Sequence, residues 1–325
     1  MEYTRPFEKL NSKDANIAGG KGASLGEMTQ AGIPVPPGFV VLANVFEKFI
    51  EETEIVEDID ATLETVNHEE VHTVEAASEK IQGIIKSQKI PRHIADKIMI
   101  AFDTLDTEFV AVRSSATAED GATAAWAGQL DTYLNTTKEN VLEKVQSCWA
   151  SLFTRRAIFY RFEKKMHKDK VSVAVVIQKM IDSETSGIAF SVHPVTQDYN
   201  HLIIEAGFGL GEAIVSGQIT PDSYVVNKDD LSMEEKMVNE QSKKLVKKEG
   251  GGNVWIELSS DEGSKQIITD EEVTELSKLI ILIEKHYDFP CDIEWAREKG
   301  KFYIVQSRPI TTLIPKEEEL KKKTS

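Results

Sequence analysis

With 325 residues, 41% of them hydrophobic, the chain is long enough for two domains or two large subdomains around a real core, which excludes disorder as its general state. Its 38 Lys and Arg against 54 Asp and Glu leave a formal net charge of −16 at pH 7. A surface this acidic repels nucleic acid and anionic lipid, so neither is an expected partner; a polyanionic ligand binds only where a few basic groups and backbone N–H groups are focused.

The longest apolar runs, residues 173–177 and 279–283, fall far short of the ~20 residues that span a bilayer. The first nine residues are charged and hold no apolar signal region. Cys148 and Cys291 form no C-x-x-C pair, and two buried thiols in a reducing compartment is the simplest account of them. The expectation is a soluble, cytoplasmic protein.

In chain order, residues 19–22 form a Gly-rich loop, Gly19-Gly20-Lys21-Gly22, ahead of a short helix over 23–30 that ends near Gly32. Three prolines, Pro34, Pro36 and Pro37, restrict the next stretch to extended or turn geometry. Residues 43–105, rich in Glu, Lys, Ile and Ala, predict several helices. A β-type run over 109–112 ends at Arg113-Ser114-Ser115, and residues 140–165 have helical period. Strands are expected over 171–178, 187–191 and 201–205, the last running into Gly207-Phe208-Gly209-Leu210-Gly211-Glu212. Three consecutive glycines mark 247–253 as a loop or hairpin end. A helix over 269–287 and a terminal hairpin of strands 292–296 and 302–307 complete the pattern, followed by a charged tail at 316–325. The mixture is α+β (mixed α/β). A boundary near 180–186 divides residues 1–185 from 186–315.

Four features carry candidate chemistry. The Gly19–Gly22 loop lets backbone N–H groups approach phosphate oxygens, with Lys21 as a point charge; Gly rather than Ser or Thr follows the lysine, so it is not a Walker A loop, and a plain Gly-rich turn fits as well. The run from Gly207 to Glu212 has Glu212 where a dinucleotide fingerprint wants glycine, leaving a tight strand-to-helix turn or a backbone phosphate contact. Arg113 is mounted at a strand end before a long loop, residues 116–132, of the length seen in lids; a surface ion pair is the alternative. In the terminal hairpin, side-chain alternation puts Asp292 and Glu294 on one face and Gln306 and Arg308 on one face of the partner strand. A register of even parity sets Glu294 beside Gln306, a hard-oxygen pair suited to Mg²⁺ with an arginine next to it for phosphate, unless this is merely an exposed polar face. The seven histidines show no metal pattern; His68 and His72 are spaced i, i+4 on an expected helix without the glutamate of a zinc-protease motif.

Taken as an ordered set, Gly19-Gly20-Lys21-Gly22-Ala23-Ser24-Leu25-Gly26, Val112-Arg113-Ser114-Ser115-Ala116-Thr117-Ala118-Glu119-Asp120, Ala127-Gly128-Gln129, Pro194-Val195-Thr196, Gly209-Leu210-Gly211-Glu212, Asp292-Ile293-Glu294-Trp295 and Gln306-Ser307-Arg308-Pro309 resemble the ATP-grasp nucleotide-binding domain shared by phosphoenolpyruvate synthase, pyruvate phosphate dikinase and rifampicin phosphotransferase. The resemblance runs from about residue 5 to 313. It implies an ATP-grasp fold of two subdomains with ATP in the cleft between them. Lys21 and Arg113 would hold ATP phosphates, Gly128 and Thr132 would lie in the lid, and Gln178 with the backbone through Met180 would meet adenine. Glu294 and Gln306 would bind Mg²⁺, and Arg308 would contact the transferring phosphate. Two departures stand out: Ala125-Trp126 replaces the usual Ser-Phe before Ala127-Gly128-Gln129, and residues 121–125 lack the usual proline.

The resemblance also implies a carrier histidine on a swivelling domain, and none of the seven histidines here has its Thr-Ser-His-like context. The expected partners are therefore a phosphohistidine swivel domain and a pyruvate- or acceptor-binding domain, in the same full-length protein or on a second subunit. The leading expectation is the Mg·ATP-binding module of a pyruvate, water dikinase. A rifampicin phosphotransferase-like kinase and a non-catalytic ATP-binding regulatory subunit are the alternatives.

Overall fold

A computed structural model describes residues 1–117, 131–165 and 172–313. The chain forms two compact units, one of residues Met1–Met180 with Lys247–Asn253 and the other of Ile181–Val246 with Val254–Ser325. Among the described residues no helix is long and apolar enough to cross a membrane.

In the first unit the described elements run β1 (Thr4–Pro6), α1 (Ala15–Gln30), β2 (Gly38–Val41), α2 (Ala43–Glu52), α3 (Val56–Glu64), α4 (Val71–Ser87), α5 (Arg92–Thr104), β3 (Val110–Thr117), β4 (Thr132–Thr136), α6 (Val141–Ala150), α7 (Arg155–Glu163) and β5 (Ser172–Lys179). Five strands make one sheet in the order β1-β2-β5-β3-β4. The central strand β5 is apolar on both faces, Val173 to Ile177 being fully buried, as a strand covered on both sides must be. Helix α1 lies over Val40 and Val176, while α6 packs against β3 and β5. Trp149 of α6 is fully buried with Phe46 and Phe49 of α2, ring centroids 6.1 and 4.8 Å away.

Several local expectations change here. The Gly-rich segment is not a loop ahead of a helix: it lies inside α1, which kinks at Gly19 (φ 68°, ψ 166°) and ends as expected at Gly32, where Ile33 N–H bonds to Met28 O and Gly32 N–H to Thr29 O. Helix α4 begins at Val71, so His68 precedes it and stacks on Phe162 instead. The helical stretch over 140–165 is broken at Thr154, whose hydroxyl accepts from Ala157 N and starts a second helix. Arg113 stands mid-strand, because β3 continues to Thr117, paired residue by residue with β5. Most of the expected lid loop, including Gly128 and the two departures at residues 121–126, lies outside the described residues.

The second unit contains β6 (Thr185–Phe190), β7 (His201–Phe208), α8 (Glu212–Val215), β8 (Asp222–Asn227), β9 (Met233–Met237), β10 (Lys243–Lys247), β11 (Asn253–Glu257), α9 (Ser260–Gly263), α10 (Asp270–Tyr287), β12 (Cys291–Glu298) and β13 (Lys301–Pro309). Its six-stranded antiparallel sheet has the order β13-β12-β6-β7-β8-β9, and β10 pairs with β11 in a separate ribbon. One face, with Ile293, Ala189, Ile204 and Tyr224 in register across four strands, is fully buried. Helix α10 packs on β7 and β12 and buries Val273, Leu276, Ile280 and Ile283. Thr269 and Glu272 form a capping box at its start. The buried Asp222 accepts bonds from Asn239 N, Ile267 N and the Tyr224 hydroxyl, pinning the long excursion between β8 and α10. Gly209 follows β7, and a Cβ there would lie 2.2 Å from Leu245 O, so this glycine allows close approach of the backbone to β10.

Candidate functional site

Each unit gathers part of the residue set singled out in the sequence. In the first, Ala111, Arg113 and Ser115 alternate onto one face of β3. Gln178 and Val176 of β5 stand opposite Ala111 and Arg113, and Thr132 of β4 is also opposite Arg113. Directly paired residues leave a sheet on the same side. Arg113, Ser115, Thr132 and Gln178 therefore share the face that Val176 presents to α1.

The kink in α1 aims its second segment at β3. A Cβ on Gly19 would lie 2.1 Å from Ser115 Oγ and 2.5 Å from Ser115 O, so only glycine lets the helix come this close. Ser115 Oγ then accepts from the backbone N–H of Lys21 (3.2 Å) and Gly22 (3.4 Å), satisfying two donors of a helix start whose own sequence supplies no cap. The Lys21 ammonium donates to Ser114 O at 3.1 Å, which holds its charge beside the strand that carries Arg113. Lys21 and Arg113 thus concentrate positive charge locally in a protein of net charge −16.

Gln178 is 2% exposed, and its Nε2 has no hydrogen-bond partner among the described residues. Leaving such a donor unsatisfied costs about 1–3 kcal/mol, a cost that a ligand acceptor removes. The Met180 N–H is engaged with Phe109 O at 3.1 Å, so a base can take it only by exchanging that bond.

In the second unit the open face of the six-stranded sheet carries the rest. The register of β12 and β13 puts Glu294 directly opposite Gln306 and Asp292 opposite Arg308, with a bulge just beyond Glu294. Gln306 Nε2 donates to Glu294 Oε1 at 3.0 Å. Arg308 Nε and one terminal nitrogen both meet Asp292 Oδ2 at 2.8 Å. Burial pushes the Asp292 carboxyl up, Arg308 pulls it back down, and the charge of Glu294 adds to the rise. The four side chains form a small square of carboxylates, amide and guanidinium. Among the described residues no three His, Cys, Asp or Glu side chains converge on one ion. A carboxylate and an amide oxygen instead suit Mg²⁺, which is held by one or two protein oxygens together with water and substrate phosphates.

Two features of these clusters were not read from the sequence. Ser115 as a cap for α1 depends on a contact 94 residues away. Glu205 emerges on the Glu294 face only once the pairing of β6 with β7 is known.

Residues 15–325 match the family described as Pyruvate phosphate dikinase, AMP/ATP-binding domain, and the chain belongs to that family. It is 45% identical to a probable phosphoenolpyruvate synthase of Methanocaldococcus jannaschii, over 99% of this chain and 28% of that protein. It is 46% identical to a probable phosphoenolpyruvate synthase of Archaeoglobus fulgidus, over 97% of this chain and 42% of that protein. It is 38% identical to the rifampicin phosphotransferase of Bacillus subtilis, over 95% of this chain and 36% of that protein. The chain thus spans less than half the length of each of these relatives.

Proposed function

We propose that the chain is the Mg·ATP-binding module of a phosphoenolpyruvate synthase-type dikinase, passing phosphate from ATP to a carrier histidine outside this chain. The observation that carries the reading is the Glu294–Gln306 pair, 3.0 Å apart with the Asp292–Arg308 pair beside it, in a member of an AMP/ATP-binding family. In this reading Lys21 and Arg113 bind phosphate oxygens and Gln178 meets adenine, with Met180 beside it. Thr132 and Gly128 contact the nucleotide, Glu294 and Gln306 ligate Mg²⁺, and Arg308 contacts the transferring phosphate. The metal would neutralise charge on the phosphates; the residues orient the nucleotide and hold positive charge where it is needed, which is most of what phosphoryl transfer asks of a protein. The names of the two relatives at 45 and 46% identity, both probable phosphoenolpyruvate synthases, support pyruvate as final acceptor. The two cysteines are free and buried, which suits a cytoplasmic protein.

The test is calorimetric titration of ATP with and without Mg²⁺. Lys21→Ala is expected to weaken binding about 10- to 100-fold, the worth of a charge-assisted phosphate contact. Glu294→Ala is expected to remove most of the Mg²⁺ dependence while leaving metal-free ATP binding nearly unchanged. Unchanged affinity in both variants would overturn the reading.

A further inference from the structure

The chain that brings Thr132 opposite Arg113 also brings a carboxylate to the other face of the same sheet. Thr132 is opposite Arg113 and Tyr133 opposite Val112, so the two leave β4 on opposite sides, Thr132 toward the α1 face and Tyr133 toward α6. Asp131 goes with Tyr133: the Tyr133 hydroxyl donates to Asp131 Oδ2 at 2.8 Å. The Lys144 ammonium of α6 lies 5.3 Å from the centre of the tyrosine ring, and Ser147 of the same helix lies beside the hydroxyl. Burial first, and then the bond to Asp131, push the phenol up, so it remains a neutral donor at ordinary pH.

Asp131 is joined to Lys21 through a single residue. Ser114 N–H and Ser114 Oγ both donate to Asp131 O, at 3.1 and 2.9 Å, while Ser114 O accepts from the Lys21 ammonium at 3.1 Å. The N–H and C=O of one strand residue face the same neighbour. Lys21 and the Asp131 backbone therefore meet Ser114 on the same side. The fully buried Cys148 thiol registers both charges: burial pushes it up, Lys21 pulls it down and Asp131 adds to the rise.

A lysine on a flexible four-carbon stem has a choice between such a carboxylate and a phosphate. If Asp131 captures the ammonium, the positive charge beside Arg113 is neutralised. The hydroxyl of Tyr133 opposes this, because it occupies the carboxylate and holds it toward α6.

We propose that Tyr133 is a positioning residue for Lys21: by tethering the Asp131 carboxylate on the α6 face it keeps the lysine available to an anionic ligand. This rests on the Mg·ATP reading above and adds to it a residue that touches neither nucleotide nor metal.

The experiment is calorimetric titration of ATP with Mg²⁺ into the chain, Tyr133→Phe, Asp131→Asn and the double variant. Tyr133→Phe is expected to bind ATP about 3- to 10-fold more weakly, the effect of one competing charge near a partly exposed lysine. Asp131→Asn binds at least as tightly as the parent, and the double variant recovers the affinity of Asp131→Asn, since the competitor is gone. The double variant lacks the same hydroxyl as the single one, so it controls for any loss of stability in β4. A double variant as weak as Tyr133→Phe means that the hydroxyl only supports the fold, and overturns the proposal. Unchanged affinity in Tyr133→Phe, or weakened binding in Asp131→Asn, overturns it too. All three results leave the ATP reading intact as long as Lys21→Ala still loses affinity. Failure of the unsubstituted chain to bind ATP overturns both.

Discussion

Ser115 Oγ lies 3.2 Å from the backbone nitrogen of Lys21, and through that bond a strand caps the segment of α1 beyond its kink, at a residue 94 positions earlier in the chain. The same serine backbone is what a side chain at Gly19 would strike. Lys21, proposed to bind phosphate, is thus positioned from β3, not by its own loop.

Ser115→Ala removes the acceptor for two N–H groups at the helix start. Loss of a cap costs about 0.5–2 kcal/mol. Urea unfolding should show a decrease of that size, and ATP affinity should fall as well, because the first turn after the kink is no longer held against β3. A variant with full stability and full affinity would mean that water replaces the hydroxyl without penalty.

Gly19→Ala acts more severely. The backbone there is left-handed (φ 68°), which alone costs a non-glycine residue about 1–3 kcal/mol. The added methyl must also displace Ser115 backbone atoms, and no rotamer change relieves a contact with a carbonyl oxygen. We expect a loss of stability larger than that of Ser115→Ala, with ATP binding abolished. Combining it with Ser115→Gly should not rescue it, since the backbone clash at 2.5 Å remains.

Stability should depend on pH through Glu205. Its folded-state pKa is raised by burial from 4.5, so the folded protein holds this proton to higher pH than the unfolded chain does. Its contribution is therefore present below pH 4.5 and lost as pH rises through the folded value. Glu205→Gln should melt higher than the parent at pH 7 and show no such advantage at pH 4. An equal effect at both pH values would assign the change to packing.

His201 has the same sign for a different reason. Its Nδ1 bonds to Asp198 Oδ2 at 2.8 Å and its Nε2 lies 2.9 Å from Glu234 Oε2, and the two carboxylates, Glu234 first, raise its pKa above 6.5. The stabilisation is complete below pH 6.5 and disappears as pH rises through the folded value. In His201→Gln the melting temperature should lose this part of its alkaline decline. The signature is a flatter profile above pH 6.5, measured in low salt so that the partly exposed carboxylates are not screened.

Local pattern carried a good deal of this protein. Thr269 with Glu272 before an apolar periodic run marks a helix start in the sequence, and α10 begins there. Alternation over residues 292–308 told which side chains share a face, because a strand's period is a local property of the backbone. Parity left the Glu294–Gln306 pairing open; the two-residue turn at Lys299-Gly300, both at positive φ, decided it together with the bulge after Glu294. Strand β9 is not legible in the sequence, since Met233–Met237 is a largely polar edge strand held by its pairing with β8.

What the sequence determined by itself is the family, the start of α10 and the identities of the charged groups, all of which reside in residue type and short-range order. Only the tertiary structure decided that Arg113 is mid-strand, that Ser115 caps α1 and that Glu205 joins the Glu294 face. Each of these depends on register between segments distant along the chain, where a shift of one residue turns every side chain to the opposite face of the sheet.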